Sequence, residues 1–303
     1  TGTLSISDNT GNEVITGTSA NDTVTITTGS DTVNLGAGDD TINVSAANID
    51  TNDNITDTSG SDTLNITTSG TISAASLIDV SGIDTLNLYR GNDTITFVDG
   101  ADFSNFIDEF TDIVDAGGSD KLAFGSIAVS GNLDFSKLSE FETLDLSSVG
   151  DSLTISGDEP ATINGLAGDD QFTLNLSAVR TLDGGTNTLK DSVKFTGATA
   201  NIGTTDTDFA AASSFTNIER LDLTSLSLVS NDNNTEFNFT EAMLDAWTGN
   251  ATGNLTLSFT NSQVEKIKFT DCSAVQWDTA AEIVHNTTYT IGNNSLTIDI
   301  TDI

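Results

Sequence analysis

The chain has 303 residues, and its 45 Asp and Glu stand against 9 Lys and Arg, for a formal net charge of −36. That balance argues against a nucleic-acid partner, whose phosphates demand clustered Lys and Arg, and no apolar run approaches the roughly 18 residues of a membrane span, so no membrane insertion is expected. One cysteine, Cys272, excludes an internal disulfide framework, and the single Pro160 and single His285 leave little material for proline-rich linkers or histidine metal clusters.

High charge with lean hydrophobicity usually signals disorder. Here the apolar residues fall at strand period almost throughout, which argues for an ordered fold that lowers its self-repulsion by binding cations. The recurring unit is acidic, polar, apolar, polar, apolar. It reads "DTVTI" from Asp22, "DTVNL" from Asp31, "DTINV" from Asp40, "DTLNI" from Asp62, "DTLNL" from Asp84 and "DTITF" from Asp93. Next, "ADFSNFIDEFTDIVDA" (101–116) places Phe103, Phe106, Ile107, Phe110 and Val114 at helical spacing, which predicts an amphipathic helix packed on or capping the strands. The unit resumes at Asp120, Glu142, Asp151, Asp170, Asp191 and Glu219. Residues 206–215 and 278–284 are expected to form short helical turns. "FTEAMLDAWTGN" predicts a helix with Thr240 as N-cap and Gly249 as stop. After about residue 225 the unit fades, although "LTLSF", "VEKIKF", "TYTI" and "SLTIDI" remain strand-like.

Alternation places the apolar side chains of each unit on one strand face. A strand of four or five residues cannot bury that face alone, so stacking at constant intervals is required. Successive acidic corners are mostly 9 or about 22 residues apart. Nine suits half a turn of a flat two-sided roll, and 22 one full coil of a larger helix. The expected fold is therefore all-β: a right-handed parallel β-solenoid with a few short helices. Residues 1–225 would form the solenoid and 226–303 a modified cap.

Stacked corners lie about 4.8 Å apart, and carboxylates that close repel unless a cation intervenes. Ca²⁺, which takes six to eight oxygen ligands, suits the task. "GTSANDTVT", "ITTGSDTVN" and "LGAGDDTIN" are consecutive nonapeptides that resemble the RTX repeat, Gly-Gly-x-Gly-x-Asp-x-apolar-x, which winds into a calcium-loaded parallel β-roll. The Asp position maps to Asp22, Asp31 and Asp40, and the preceding glycine to Gly29 and Gly38. Ala20, Ile26 and Leu35 depart from the pattern. "GLAGDDQFT" is a fourth match, with Gly165, Gly168 and Asp170, while Asp93 and Asp120 keep the glycine–x–Asp part. With the flanking Asp39 and Asp169, these are the expected calcium positions. The resemblance extends to rungs of RTX surface-layer proteins and adhesins, and "YTIGNNSLTIDITDI" is similar to the C-terminal tail of type I-secreted RTX proteins. It implies a secreted, extracellular protein at the cell surface, exported unprocessed through a C-terminal signal. Thr1 without Met fits that route, a processed form or a fragment.

Three functions fit these residues. The first is a structural protein that self-assembles into a lattice or fibre, since outward Asn and Thr ladders suit lateral assembly. The second is an adhesin module that grips a surface, cell-surface polysaccharide or ice. The third is a polysaccharide-active β-helix enzyme. Catalysis is not expected. HExxH is absent, Cys272 lies in no motif with a histidine, and Trp247, Trp277, Tyr89 and Tyr289 are too scattered to form a sugar platform. Asp62, Asp84, Asp151 and Asp191 are read first as acceptors for turn amides.

Overall fold

The computed structural model describes residues 2–157, 160–175, 181–186, 191–196, 200–201, 214–222, 224, 228–229, 237–240, 254–260, 267–270, 287–291 and 294–301. The fold is an all-β parallel solenoid of about 8 turns. It divides into two compact units: residues 1–127 with 133–145 and 157–160, and residues 128–132 with 146–156 and 161–303.

In the first unit one sheet stacks Ser5–Ser7, Thr23–Thr25, Thr41–Val44, Thr63–Ile66, Thr85–Asn87 and Asp112–Val114, all parallel. Opposite lie Val14–Thr16, Thr32–Asn34, Asn54–Thr56 and Val80–Ser81. Chain order alternates between these sheets, so the nine-residue spacing is a half-turn of a two-sided roll, as predicted. A third sheet holds Thr71–Ser73, Thr94–Phe97, Lys121–Phe124 and Thr143–Asp145 in this unit, and it appears where coils lengthen to 22 residues and more. Register is exact in type. Val24, Ile42, Leu64, Leu86 and Ile113 form one inward column, and Ile72, Ile95, Leu122 and Leu144 another, each at most 5% exposed. Each such side chain contributes about 1.5–3 kcal/mol by leaving water.

The predicted helix forms over Gly100–Glu109, shorter than expected. Asp99 caps it, its carboxylate accepting from the amides of Ala101 and Asp102 at 2.9 and 3.1 Å. Phe103, Phe106 and Ile107 are buried; the Phe103 ring lies 5.3 Å from Phe97 and 5.5 Å from Phe135. Phe110 turns extended and ends the helix, and Lys137 Nζ donates to the Ile107 and Phe110 carbonyls at 2.8 and 2.7 Å. Val114, expected on the helix, is instead exposed on the strand Asp112–Val114. The Thr111 and Asp112 amides donate to the Asp84 carbonyl one coil back and recapture the chain for the sheet.

In the second unit one parallel sheet holds Ser152–Ser156, Gln171–Asn175, Ser192–Thr196, Arg220–Asp222, Asn254–Thr260 and Asn294–Thr301, and Thr287–Ile291 joins the last as an antiparallel hairpin. Thr162–Asn164, Thr181–Asp183 and Ser214–Thr216 form another parallel set. Of the strand-like stretches expected after residue 225, "LTLSF", "TYTI" and "SLTIDI" lie in strands, and the described end of "VEKIKF" lies in the strand Ile267–Thr270; the described residues of the tail form that hairpin's two strands. Of the helix expected from Thr240 to Gly249 only Thr240 is described, at the end of the strand Phe237–Thr240, and 278–284 lies outside the described residues; of 206–215 only Ser214 and Phe215 are described, and they lie in the strand Ser214–Thr216 rather than in a helical turn.

Candidate metal centres

The corner carboxylates do two separable things. The first is a ladder. One oxygen of each corner carboxylate accepts a hydrogen bond from the backbone amide at the same corner one coil back. Leu4, Asp22, Asp40 and Asp62 donate in turn to Asp22, Asp40, Asp62 and Asp84 at 2.6–2.9 Å. Glu13 and Asp31 donate to Asp31 and Asp53, each at 3.0 Å. Gly70, Asp93 and Asp120 donate to Asp93, Asp120 and Glu142 at 2.6–2.8 Å. In the second unit Val129, Asp151, Asp170 and Asp191 donate to Asp151, Asp170, Asp191 and Glu219 at 2.6–2.8 Å. These amides donate to a carboxylate in place of a strand carbonyl, and a buried amide left unpaired is costly. The acidic period is therefore first a backbone requirement of the coil.

The residue before the corner clamps the other way: Asn21 Oδ1 accepts from the Asp39 amide and Asp39 Oδ1 from the Ser61 amide, at 3.0 and 3.1 Å. Glycine two residues before the corner follows from the same stacking. Gly38 has φ +128°, and a Cβ there would lie 2.7 Å from the Ala20 carbonyl carbon. A Cβ on Gly29 would collide with the Gly11 carbonyl oxygen, and one on Gly168 with backbone at Gly150.

The second feature is confined to certain corners. Three groups of carboxylates, Asp8–Glu13–Asp31, Asp40–Asp57–Asp62 and Asp93–Asp115–Asp120, each bring one oxygen per residue to within 4.8 Å of the others. The ladder uses one oxygen of Asp31, Asp40, Asp62, Asp93 and Asp120; the Oδ2 of each is buried and has no hydrogen-bond partner. These five residues are at most 1% exposed. Asp57 and Asp115 spend Oδ2 on the turn amides of Ser59 and Gly117, both at 2.6 Å, and leave Oδ1 unpartnered. Asp8 has both oxygens unpartnered, and Glu13 its Oε2.

Burial, then the charges of Asp57 and Asp40, pushes the Asp62 carboxyl up to about 6. Burial and the charges of Asp115 and Asp93 push Asp120 up to about 7. Asp40 and Asp93 are raised too, mainly by burial, and so is Glu13, by burial and by Asp31 beside it.

The donor set is all oxygen and anionic. Two ligands on opposite sides of one Ca²⁺ stand about 4.8 Å apart, twice a bond of roughly 2.4 Å. Orphaned carboxylate oxygens converging at that spacing fit a hard divalent cation. Buried Asp-rich groups able to hold a metal ion are thus present in the first unit.

Of the expected positions, Asp31, Asp40, Asp93 and Asp120 lie in these groups. Asp22 does not: its oxygens accept from the amides of Leu4 and Thr18 and the Thr18 hydroxyl. Burial raises its pKa, but those bonds together outweigh burial and hold it below the usual range. Asp39 is exposed in its clamp. Asp170 is buried with Oδ2 unpartnered and is pushed up to about 7 by burial and by Asp151, Asp191 and Asp169, yet joins no three-carboxylate group among the described residues. Asp62, expected only to hold an amide, does that and also faces its group.

Asp8, Glu13, Asp57 and Asp115 were not among the expected residues. Their signal is a six-residue word read upstream of the corner: "DNTGNE" (8–13), "DTSGSD" (57–62) and "DAGGSD" (115–120). "DVSGID" (79–84) has the same form. It fails to build a group because Val80–Ser81 is a strand in its middle and Asp79 is exposed.

No protein-family model, curated protein or solved structure matches this chain.

Proposed function

We propose that the protein is a secreted, extracellular, calcium-stabilised building block of the RTX kind, which assembles with copies of itself into a surface layer or fibre at the cell surface. A β-solenoid with Asp-rich turns suits a structural repeat protein. The observation that carries calcium is the convergence of buried, unpartnered carboxylate oxygens at three places. A net charge of −36 favours the same cation, which neutralises the corners. Because the ligands of each group come from adjacent coils, occupancy ties those coils together, and binding free energy becomes folding free energy. A calcium-poor interior would then keep the chain loose and a calcium-rich medium would fold it. The role is structural rather than catalytic.

The test is a calcium titration after chelation, followed by circular dichroism and negative-stain electron microscopy on the same samples. Parallel gains of β signal and ordered arrays support the reading. Calcium-dependent folding into single particles refutes assembly, and indifference to calcium refutes the metal sites.

A further inference from the structure

We propose that copies of this chain meet through the two opposite sheet faces of the first unit's roll, unlike face on unlike face. The face of the shorter sheet, Val14–Thr16 to Val80–Ser81, seats on the face of the longer sheet, Ser5–Ser7 to Thr85–Asn87, of the next copy. This pairing rests on self-assembly as the protein's function and specifies its surfaces.

Charge selects the faces. A chain of net charge −36 repels its own copies wherever their acids meet. On the longer sheet the outward residues form two rows in register. One is threonine from Thr23 to Thr85, and the other runs from Thr25 through Asn43 and Asn65 to Asn87. Ser5 and Ser7 begin these rows, and the first charge in either is Asp112, on the sixth strand. The shorter sheet is alike. Val14, Thr32 and Asn54 make one row and Thr16 to Ser81 the other, and the first charge is Asp79, just before the fourth strand. The carboxylates lie at the corners between these faces, so the two faces are where like copies approach without opposed charges.

The faces are also prepared for contact. The Asn87 side-chain amide donates to Asn65 Oδ1, and that of Asn65 to Asn43 Oδ1, at 2.8 and 3.1 Å. This ladder fixes the asparagines, and threonine is stiff at χ1, so covering them costs little side-chain entropy. Hydroxyls and amides both donate and accept, so neither face requires a charged partner. The relief differs between them: Thr41, Asn43, Thr63 and Asn65 are half-buried, whereas Val14, Thr32, Asn34 and Asn54 are exposed. Val14 is 80% exposed, and covering it takes apolar surface out of water. A face that stands proud seats on one that lies low, with both repeating at about 4.8 Å. Unlike pairing leaves one face free at each end, so copies add into an open row. Four strands cover roughly a few hundred Å², less than the about 800 Å² per partner of a standard interface, so each contact is weak and the row depends on concentration.

The experiment is sedimentation velocity of the full calcium-loaded chain over a range of concentrations, with β signal checked by circular dichroism. Asn65→Glu puts a charge on one face and Asn34→Glu on the other. Each variant alone is expected to associate at least about tenfold more weakly than the unaltered chain. Mixed in equal amounts, the two variants are expected to form a dimer and stop there, since each supplies the face the other has lost. Asn132→Glu, an exposed position in the second unit, is expected to assemble like the unaltered chain. Should Asn65→Glu disturb the β signal, Asn65→Asp, of the same length, carries the same expectation. A single variant that dimerises by itself means that like faces meet and overturns the pairing, as does assembly of either variant at full strength. In both cases self-assembly itself stands. If the unaltered calcium-loaded chain stays single at every concentration, self-assembly and this pairing fall together.

Discussion

Stripping calcium with EDTA will lower the melting temperature far more at neutral pH than in acid. The oxygens of the Asp40, Asp57 and Asp62 carboxylates lie within 4.8 Å of one another. Two full charges at such a distance repel by about 3 kcal/mol at an effective dielectric constant near 20. Three ionised carboxylates therefore need a proton or a cation between them. The proton is the acid remedy: Asp62 is raised to about 6 and Asp120 to about 7, above an unfolded value near 3.9. A carboxyl raised in the folded state stabilises the calcium-free fold fully below its unfolded pKa, and that stability is lost as pH rises through the folded pKa. The calcium-free melting temperature will thus fall between about pH 4 and pH 7.5. Calcium works in the opposite sense, because it binds the ionised form. With about 10 mM calcium and a Kd near 0.1 mM, each site adds roughly 2.7 kcal/mol. At about 2 °C per kcal/mol, three sites raise the melting temperature by about 15 °C at neutral pH and by only a few degrees near pH 4.5. Scanning calorimetry with and without EDTA at both pH values reads this directly. Equal melting temperatures at neutral pH, or a calcium effect no larger there than in acid, would refute the reasoning.

Asp115→Ala removes a carboxylate that belongs to a group but not to the ladder, so calorimetry should show one calcium ion fewer with the β signal intact. Asp22→Ala does the reverse: it orphans the Leu4 and Thr18 amides, costs about 1–3 kcal/mol in denaturant unfolding, and leaves the calcium count unchanged. Gly38→Ala forces a Cβ against the Ala20 backbone at a strained φ and lowers stability by at least about 1–3 kcal/mol. Phe103→Ala empties the ring cluster beneath the helix and costs about 3–5 kcal/mol; a value under 1 kcal/mol would mean that the helix is not packed as described.

Strand alternation, the nine-residue half-turn and the full coil of about 22 are all written in the order of residues such as Asp22 to Ile26, because side-chain direction in a strand depends only on sequence parity. The amphipathic segment at 101–116 was legible for a similar reason, through Phe103, Phe106 and Ile107. Its end was not, since Val114 is held in a sheet by a coil some 27 residues earlier. At the corners, residue type and period announced acidic sites, but not which oxygens were free. Asp22 and Asp40 open near-identical words, "DTVTI" and "DTINV". The Thr18 amide and hydroxyl occupy the carboxylate of one, while Asp57 and Asp62 surround the other. What the sequence by itself determined is the repeating coil, because strand period and corner carboxylates act locally. Tertiary structure decided which corner carboxylates converge, because each group joins a local pair such as Asp57 and Asp62 to a corner about a coil away, Asp40, and only stacking brings them together.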